Sequence, residues 1–277
     1  MKIISKSVLA DTGGVRISRL GILSPDIAKK SLPGQFIVLM VSAKGERIPL
    51  TVVDSDRDKG VISVVFQEAG LTTKLLGRME IGNSLHAVAG PLGHPTPVEK
   101  YGKVIVVGGG VGIAEIYPVV RALREAGNMV TAILGAKSKT LLILEGEIRA
   151  VSDKLYIATD DGSAGDKGFV TGVLEEVLRK DKYDLVYAVG PIPMMKLAGE
   201  AAARFNVRVV VSLNALMLDA TGMCGCCRVM VGGGTKFSCV DGPEFDANLV
   251  DWGELENRNR LYLKQEKHIC RLKLGQG

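Results

Sequence analysis

The rhythm of apolar and polar positions changes once, near residue 100. Before it, Met1-Lys2-Ile3-Ile4-Ser5-Lys6-Ser7-Val8 alternates as a half-buried strand does, and β-rich runs follow at Gln35 to Val41 and Val61 to Phe66, separated by turn residues. This texture predicts a small antiparallel β-barrel over residues 1–100. From Lys103 the pattern becomes an unbroken Val104-Ile105-Val106-Val107, a glycine turn, and a helical period from Ile113 to Ala126 that stops at Gly127. A strand apolar on both faces followed by such a helix opens a parallel α/β unit. Further β-rich runs at Met129 to Leu134, Leu155 to Thr159, Leu185 to Val189 and Val207 to Leu213 leave room for helical crossovers. They predict a doubly wound, five-stranded parallel sheet over 101–213. After Leu213 the periodicity ends in a stretch rich in glycine and cysteine, assigned to a small module at 214–245. A polar tail at 246–277 contains Trp252 and a helical pattern from Leu255 to Lys267, expected to pack back on the body.

Composition narrows the function. The 277 residues, 47% of them apolar, suffice for two domains and a small appendage. Aromatic residues are only 5% while there are 34 glycines, which argues against stacking platforms for nucleic acid and for backbone-lined ligand sites. The net charge of +5 is spread without long like-charged runs, as on a solvated surface or a basic face for an acidic partner. No stretch has the length of a membrane span or the apolar core of a signal peptide. Cys224, Cys226, Cys227 and Cys239 crowd into one loop, a pattern of metal chemistry more than of disulfides, and the compartment expected is the cytoplasm.

Gly108-Gly109-Gly110-Val111-Gly112 lies between a predicted strand and helix, where backbone amides and the helix N-terminus face a pyrophosphate. It departs from G-x-G-x-x-G at Ile113, and no acidic residue ends the second strand, so a turn required only for packing is the alternative. That strand ends instead near Lys137 and Lys139, cations that suit a 2′-phosphate and hence NADP(H), or solvent. Thr159-Asp160-Asp161-Gly162-Ser163 and Gly190-Pro191-Ile192-Pro193 follow later strands and are candidate walls of a nucleotide site, since ligands of open α/β sheets lie beyond the carboxyl ends of the strands.

In the first segment Arg47-Ile48-Pro49-Leu50-Thr51 sets a cation, a rigid bend and a hydroxyl side by side. The stretch resembles the R-x-Y-[ST] flavin motif of ferredoxin-reductase-type flavoproteins, with Pro49 at the tyrosine position and Leu50 before the hydroxyl. The resemblance continues through Pro33-Gly34-Gln35-Phe36, Gly70-Leu71-Thr72-Thr73-Lys74-Leu75-Leu76 and Ala89-Gly90-Pro91-Leu92-Gly93. It implies an FAD-binding barrel, with Arg47 and Thr73 on the pyrophosphate, Gly70 allowing close approach and Thr51 near the flavin ring; FMN is the alternative. Physically, an arginine fork and hydroxyls suit diphosphate oxygens.

Asp219-x4-Cys224-x2-Cys227-x11-Cys239 has the spacing of a C-x4-C-x2-C…C 2Fe-2S site with aspartate in the first position. The carboxylate keeps the count of anionic ligands. Cys226 competes with Asp219 for that role, although its side chain diverges from that of its neighbour Cys227. A tetrahedral zinc knot on the same cysteines is the structural alternative. Cys270 stands apart as an incidental thiol.

A cluster module after a nucleotide domain is similar to the electron-transfer subunits of dihydroorotate dehydrogenases. The aspartate variant resembles more narrowly the small subunits of NADH-dependent reduced ferredoxin:NADP oxidoreductases. That resemblance implies FAD, NAD(H) and a 2Fe-2S cluster on this chain, and a heterodimer with a larger flavin and iron-sulfur subunit. It also implies ferredoxin reached through the complex, and flavin-based electron bifurcation. Hydride exchange between nucleotide and flavin, then single-electron relay through the cluster, requires no side chain as acid or base. The alternatives are a subunit serving dihydroorotate oxidation and a non-catalytic flavin and iron-sulfur redox sensor.

Overall fold

The computed structural model of the protein describes residues 1–274, so the last three residues of the predicted tail lie outside the described part. The first segment holds strands β1 (Ile3–Thr12), β2 (Val15–Leu23), β3 (Phe36–Met40), β4 (Arg47–Thr51), β5 (Asp54–Asp56), β6 (Val61–Gln67) and β7 (Ala87–Leu92). Helix α1 (Pro25–Lys30) follows β2, and α2 (Leu71–Gly77) follows β6. The strands pair antiparallel in two sheets, β1-β2-β6-β5 and β4-β3-β7. Alternation sends Leu20, Ile37, Leu39, Ile62 and Phe66 inward to a common core.

The second segment runs β8 (Lys103–Gly109), α3 (Gly112–Glu125), β9 (Met129–Ala136), α4 (Glu145–Val151), β10 (Lys154–Thr159), β11 (Asp166–Lys167), α5 (Val170–Lys180), β12 (Leu185–Val189), α6 (Ile192–Arg204) and β13 (Arg208–Ser212). The five expected strands lie parallel in the order β10-β9-β8-β12-β13. Two strands not expected extend the edges: β11 parallel beside β10, and β16 (Glu244–Asp246) antiparallel beside β13. The sheet is apolar on both faces because both are covered. Helix α3 lays Ile113, Ile116, Val120 and Leu123 on one face, and α5 lays Val170, Val173, Leu174, Val177 and Leu178 on the other, each at helical spacing. Each such side chain, fully buried, contributes about 1.5–3 kcal/mol.

The third segment contains the hairpin β14 (Arg228–Val231) and β15 (Gly234–Phe237), then β16, α7 (Trp252–Arg260) and α8 (Leu263–Leu274). The tail helix expected as one element over Leu255 to Lys267 is two, broken at Leu261 and Tyr262. Asp251 caps α7 by accepting from the Glu254 amide at 3.0 Å. Leu255 anchors α7 in the core shared by the nucleotide sheet and the cysteine loop. Among the described residues no helix is long and apolar enough to cross a membrane.

Candidate functional site

At the carboxyl ends of β8, β9, β10, β12 and β13 lies a cleft of about 600 Å³. It lies at the switch point of the sheet, where β9 and β12 flank β8 on opposite sides. Of the residues expected there, Gly109, Gly110, Gly112, Lys137, Asp160, Gly190 and Pro191 line it. The turn is fixed by the Gly110 amide, which donates to the Gly135 carbonyl at 2.8 Å, and by the positive φ of 58° at Gly110. At Gly112 a Cβ would stand 2.5 Å from the Val189 carbonyl oxygen, so glycine is required for α3 to start against β12. Gly108 is buried against Ile113 and Ile116 and serves packing. Asp161 and Gly162 stand behind the wall. The Asp161 carboxylate accepts from the Ser163 amide at 2.9 Å and its hydroxyl at 2.6 Å, and these bonds hold it below the usual carboxylate range. Two of the lining residues that no motif marks bear on the chemistry. Phe169, 72% exposed at the start of α5, stands on the cleft with only Gly168 before it as a signal. Glu115, in the first turn of α3, has no sequence signal at all.

On the barrel, β4 is an edge strand, which tolerates Pro49 because nothing pairs with its outer side. Alternation along it separates Arg47, Pro49 and Thr51 from Ile48 and Leu50, and the latter pair packs on the barrel core. Thr51 donates its hydroxyl hydrogen to Glu115 Oε2 at 3.1 Å, joining the barrel to the nucleotide cleft. Burial pushes the Glu115 carboxyl up to about 6, against the opposing pull of that hydrogen bond. Gly70 precedes α2, and its amide donates to Thr73 Oγ1 at 3.0 Å, while Thr72 Oγ1 donates to Glu46 at 2.7 Å.

The cysteine loop is built by its hairpin. Gly232 and Gly233, at φ 61° and 76°, make the tight turn, and the register Arg228 to Phe237 sets Cys227 and the residues after β15 side by side. The Ser238 amide then donates to the Cys227 carbonyl at 3.0 Å. The eleven-residue spacing thereby brings Cys227 and Cys239 Sγ to 3.1 Å, both buried. Burial, then the hydrogen bond from Cys227, pushes the Cys239 thiol up to about 12. Cys226 is half-buried, and its backbone carbonyl accepts from Arg258 at 2.9 Å. Cys224 is exposed, and Asp219 is held by Thr221 and by Arg47 Nη1 at 3.7 Å. Among the described residues no three His, Cys, Asp or Glu side chains converge at metal-binding distance. The donor set nonetheless fits a cationic iron-sulfur group. It offers two soft sulfurs buried side by side without a disulfide, and a third thiol and a carboxylate on the same loop.

Residues 214–251 match the family described as the iron-sulfur cluster binding domain of dihydroorotate dehydrogenase B, and residues 106–200 match the oxidoreductase NAD-binding domain. A Thermotoga maritima protein named as a homolog of the electron transfer subunit of dihydroorotate dehydrogenase B (NAD(+)) is 50% identical over 246 residues, 89% of this chain and 87% of its own. The corresponding electron transfer subunit of Geobacillus thermodenitrificans is 34% identical over 260 residues, 90% of this chain and 97% of its own. Among solved structures, a chain of the NADH-dependent reduced ferredoxin-NADP oxidoreductase, described for its flavin-based electron bifurcation, superposes with a TM-score of 0.93 at 45% identity, over 99% of this chain and 98% of the other.

Proposed function

The chain belongs to the family of dihydroorotate dehydrogenase B electron transfer subunits and their homologues, and from that premise we propose that it exchanges hydride between NAD(H) and FAD. It passes single electrons through a 2Fe-2S cluster to or from a larger partner subunit, as one arm of a flavin-based bifurcating NADH, ferredoxin and NADP oxidoreductase. The observation that carries this reading is that the barrel strand β4 touches both other sites: Thr51 meets the cleft at Glu115, and Arg47 meets the cysteine loop at Asp219. FAD supplies the conversion of a hydride into two single electrons, and the cluster carries them one at a time.

The chain's own residues position these groups. Arg47 and Thr73 hold the flavin pyrophosphate beside Gly70, Pro49 and Thr51 flank its ring, and Leu50 anchors the strand. The amides of Val111 and Gly112 at the N-terminus of α3 hold the nucleotide pyrophosphate over the turn of Gly109 and Gly110, with Gly108 packed behind it. Lys137 and Asp160 take its adenosine end, where the Asp160 carboxylate opposes a 2′-phosphate and selects NAD(H) over NADP(H). Asp161 and Gly162 brace that loop, and Gly190 and Pro191 close the wall opposite. Asp219, Cys224, Cys227 and Cys239 ligate the cluster. The modules so defined are the FAD barrel at 1–100, the nucleotide domain at 101–213, the cluster module at 214–245 and the packing segment from 246. Five unpaired cysteines suit the reducing cytoplasm, where we place the chain.

Anaerobic mixing with NADH tests the reading. Flavin bleaching followed by cluster reduction is expected, and absence of both with NADH and NADPH refutes it. Asp219→Ala is expected to lose the cluster's visible absorption and Cys226→Ser to keep it; the reverse outcome reassigns the fourth ligand. The family match at 214–251 favours one other reading, service to a dihydroorotate-oxidising partner. Co-purification of the native complex separates the two by the identity of the large subunit.

A further inference from the structure

Glu115 is a carboxyl set where the two cofactor sites meet. It lines the nucleotide cleft from α3, and its Oε2 accepts from Thr51 of the barrel at 3.1 Å, across 64 residues of sequence. The charged and titratable groups around it are few. Tyr187 of β12 is close enough to feel its charge, Lys137 and Asp160 share the cleft from the ends of β9 and β10, and Tyr117 and Arg121 follow it on α3. No salt bridge to Glu115 is present among the described residues, so its charge, once formed, is directed at whatever the cleft holds.

Hydride transfer changes charge at that junction. The C4–H bond of the dihydronicotinamide breaks, a bond to hydrogen forms on the flavin, and two electrons move with the nucleus. NADH and oxidised flavin thus become NAD⁺ and a flavin hydroquinone anion, with a formal positive charge left on the nicotinamide ring. On the basis of the function proposed above, we infer that ionised Glu115 is the group that stabilises this ring cation, favouring NAD⁺ over the neutral ring and speeding hydride departure. A preorganised charge aimed at a developing charge in a water-poor site is the most effective form of such stabilisation. The pyrophosphate also feels Glu115, but it is common to both redox forms and cancels from their ratio. The carboxyl midpoint near 6 leaves the group mostly charged at neutral pH and discharges it in mild acid.

The test is made on the flavin- and cluster-loaded complex with NAD⁺ and with 1,4,5,6-tetrahydro-NAD, a neutral-ring analogue that cannot give up hydride. The affinity ratio of NAD⁺ to analogue is expected to fall on the order of tenfold when pH drops from 8 to 5 in the wild type. In Glu115→Gln, which still accepts the Thr51 hydrogen, the ratio is expected at the low value at every pH. By linkage, a tenfold preference lowers the Glu115 midpoint by about one unit when NAD⁺ binds. The rate of flavin bleaching by NADH should follow the same pH profile, with kcat reduced and KM little changed in Glu115→Gln, and Glu115→Asp should restore part of both. Thr51→Val removes the hydrogen bond that pulls the Glu115 carboxyl down, so it should move the fall in the NAD⁺ to analogue ratio to higher pH while the ratio still reaches a high limiting value in alkali, unlike Glu115→Gln. A wild-type ratio and pH profile in Glu115→Gln overturns the inference. Failure of the wild-type complex to bind either nucleotide overturns the functional reading beneath it instead.

Discussion

Replacing Tyr187 by phenylalanine should destabilise the protein by an amount that grows with pH. Tyr187, buried in β12, donates to Glu244 Oε1 at 2.7 Å, and Thr96 of the segment between barrel and sheet donates to the same oxygen at 2.5 Å. Glu244 Oε2 is buried without a partner. Burial raises the Glu244 carboxyl above its ordinary value, while the two hydrogen bonds pull it down, Thr96 first. Because the folded value is the higher one, the stability linked to this group is fully present below the unfolded value and is lost as pH rises through the folded one. Above it, Tyr187 donates to a carboxylate, a bond worth about 1.5–3 kcal/mol; below it, to a neutral acid, about 0.5–1.5 kcal/mol. Tyr187 itself remains a donor throughout, since burial holds its hydroxyl well above the ordinary tyrosine range. In a chain of this size the larger penalty corresponds to a loss of roughly 3–12 °C in melting temperature. The assay is thermal unfolding of Tyr187→Phe against wild type at pH 4 and pH 8, at fixed flavin and nucleotide concentrations because ligands shift apparent stability. Glu244→Gln as background should hold the penalty at the lower value at both pH values. A penalty equal at pH 4 and 8 in the wild-type background, or equal in both backgrounds at pH 8, refutes the reasoning.

Three further outcomes are expected. Gly112→Ala drives a Cβ to 2.5 Å from the Val189 carbonyl oxygen and should cost about 1–3 kcal/mol in urea unfolding and weaken NAD⁺ binding measured by calorimetry. Asp160→Ala removes the carboxylate from the cleft beside Lys137 and should raise the NADPH to NADH ratio of kcat/KM on the order of tenfold; an unchanged ratio places the adenosine end elsewhere. Leu174→Ala, fully buried on α5 beneath the sheet, should cost about 2–5 kcal/mol of stability without altering the flavin spectrum.

The parallel sheet was legible because its strands are buried on both faces, so that Val104 to Val107 and Leu185 to Val189 read as unbroken apolar runs. Strands β11 and β16 escaped notice for the opposite reason. Asp166 and Lys167 are two exposed residues, and Glu244 to Asp246 are three half-buried ones, two of them acidic; such edges are recruited by neighbours and carry no periodicity of their own. The tail broke at Leu261 and Tyr262, where the sequence has neither glycine nor proline to mark a helix end. Within the site, the glycine turn and the cysteine spacing were legible because each is a local pattern, and the hairpin between Cys227 and Cys239 explains why eleven residues suit that spacing.

What no local pattern could reveal are the polar contacts that join the modules. Thr51 with Glu115, Arg47 with Asp219, and Glu244 with Thr96 and Tyr187 each link segments far apart in the chain, and each pairs residues that are unremarkable alone. Their common property is that β4 or β16 supplies one member: the barrel edge strand reaches both cofactor-bearing neighbours, and the strand after the cysteine loop ties that loop to the sheet. Electron relay between centres demands fixed separations, whereas a nucleotide must enter and leave. Hydrogen bonds and ion pairs meet both demands better than a continuous apolar interface would, because they fix register at few points and leave a cleft between them. Asp219 belongs to this logic by its contact with Arg47: a carboxylate proposed as the fourth ligand of the cluster has a second oxygen to offer the arginine of the barrel edge strand, which ties the cysteine loop to the barrel at one charged point.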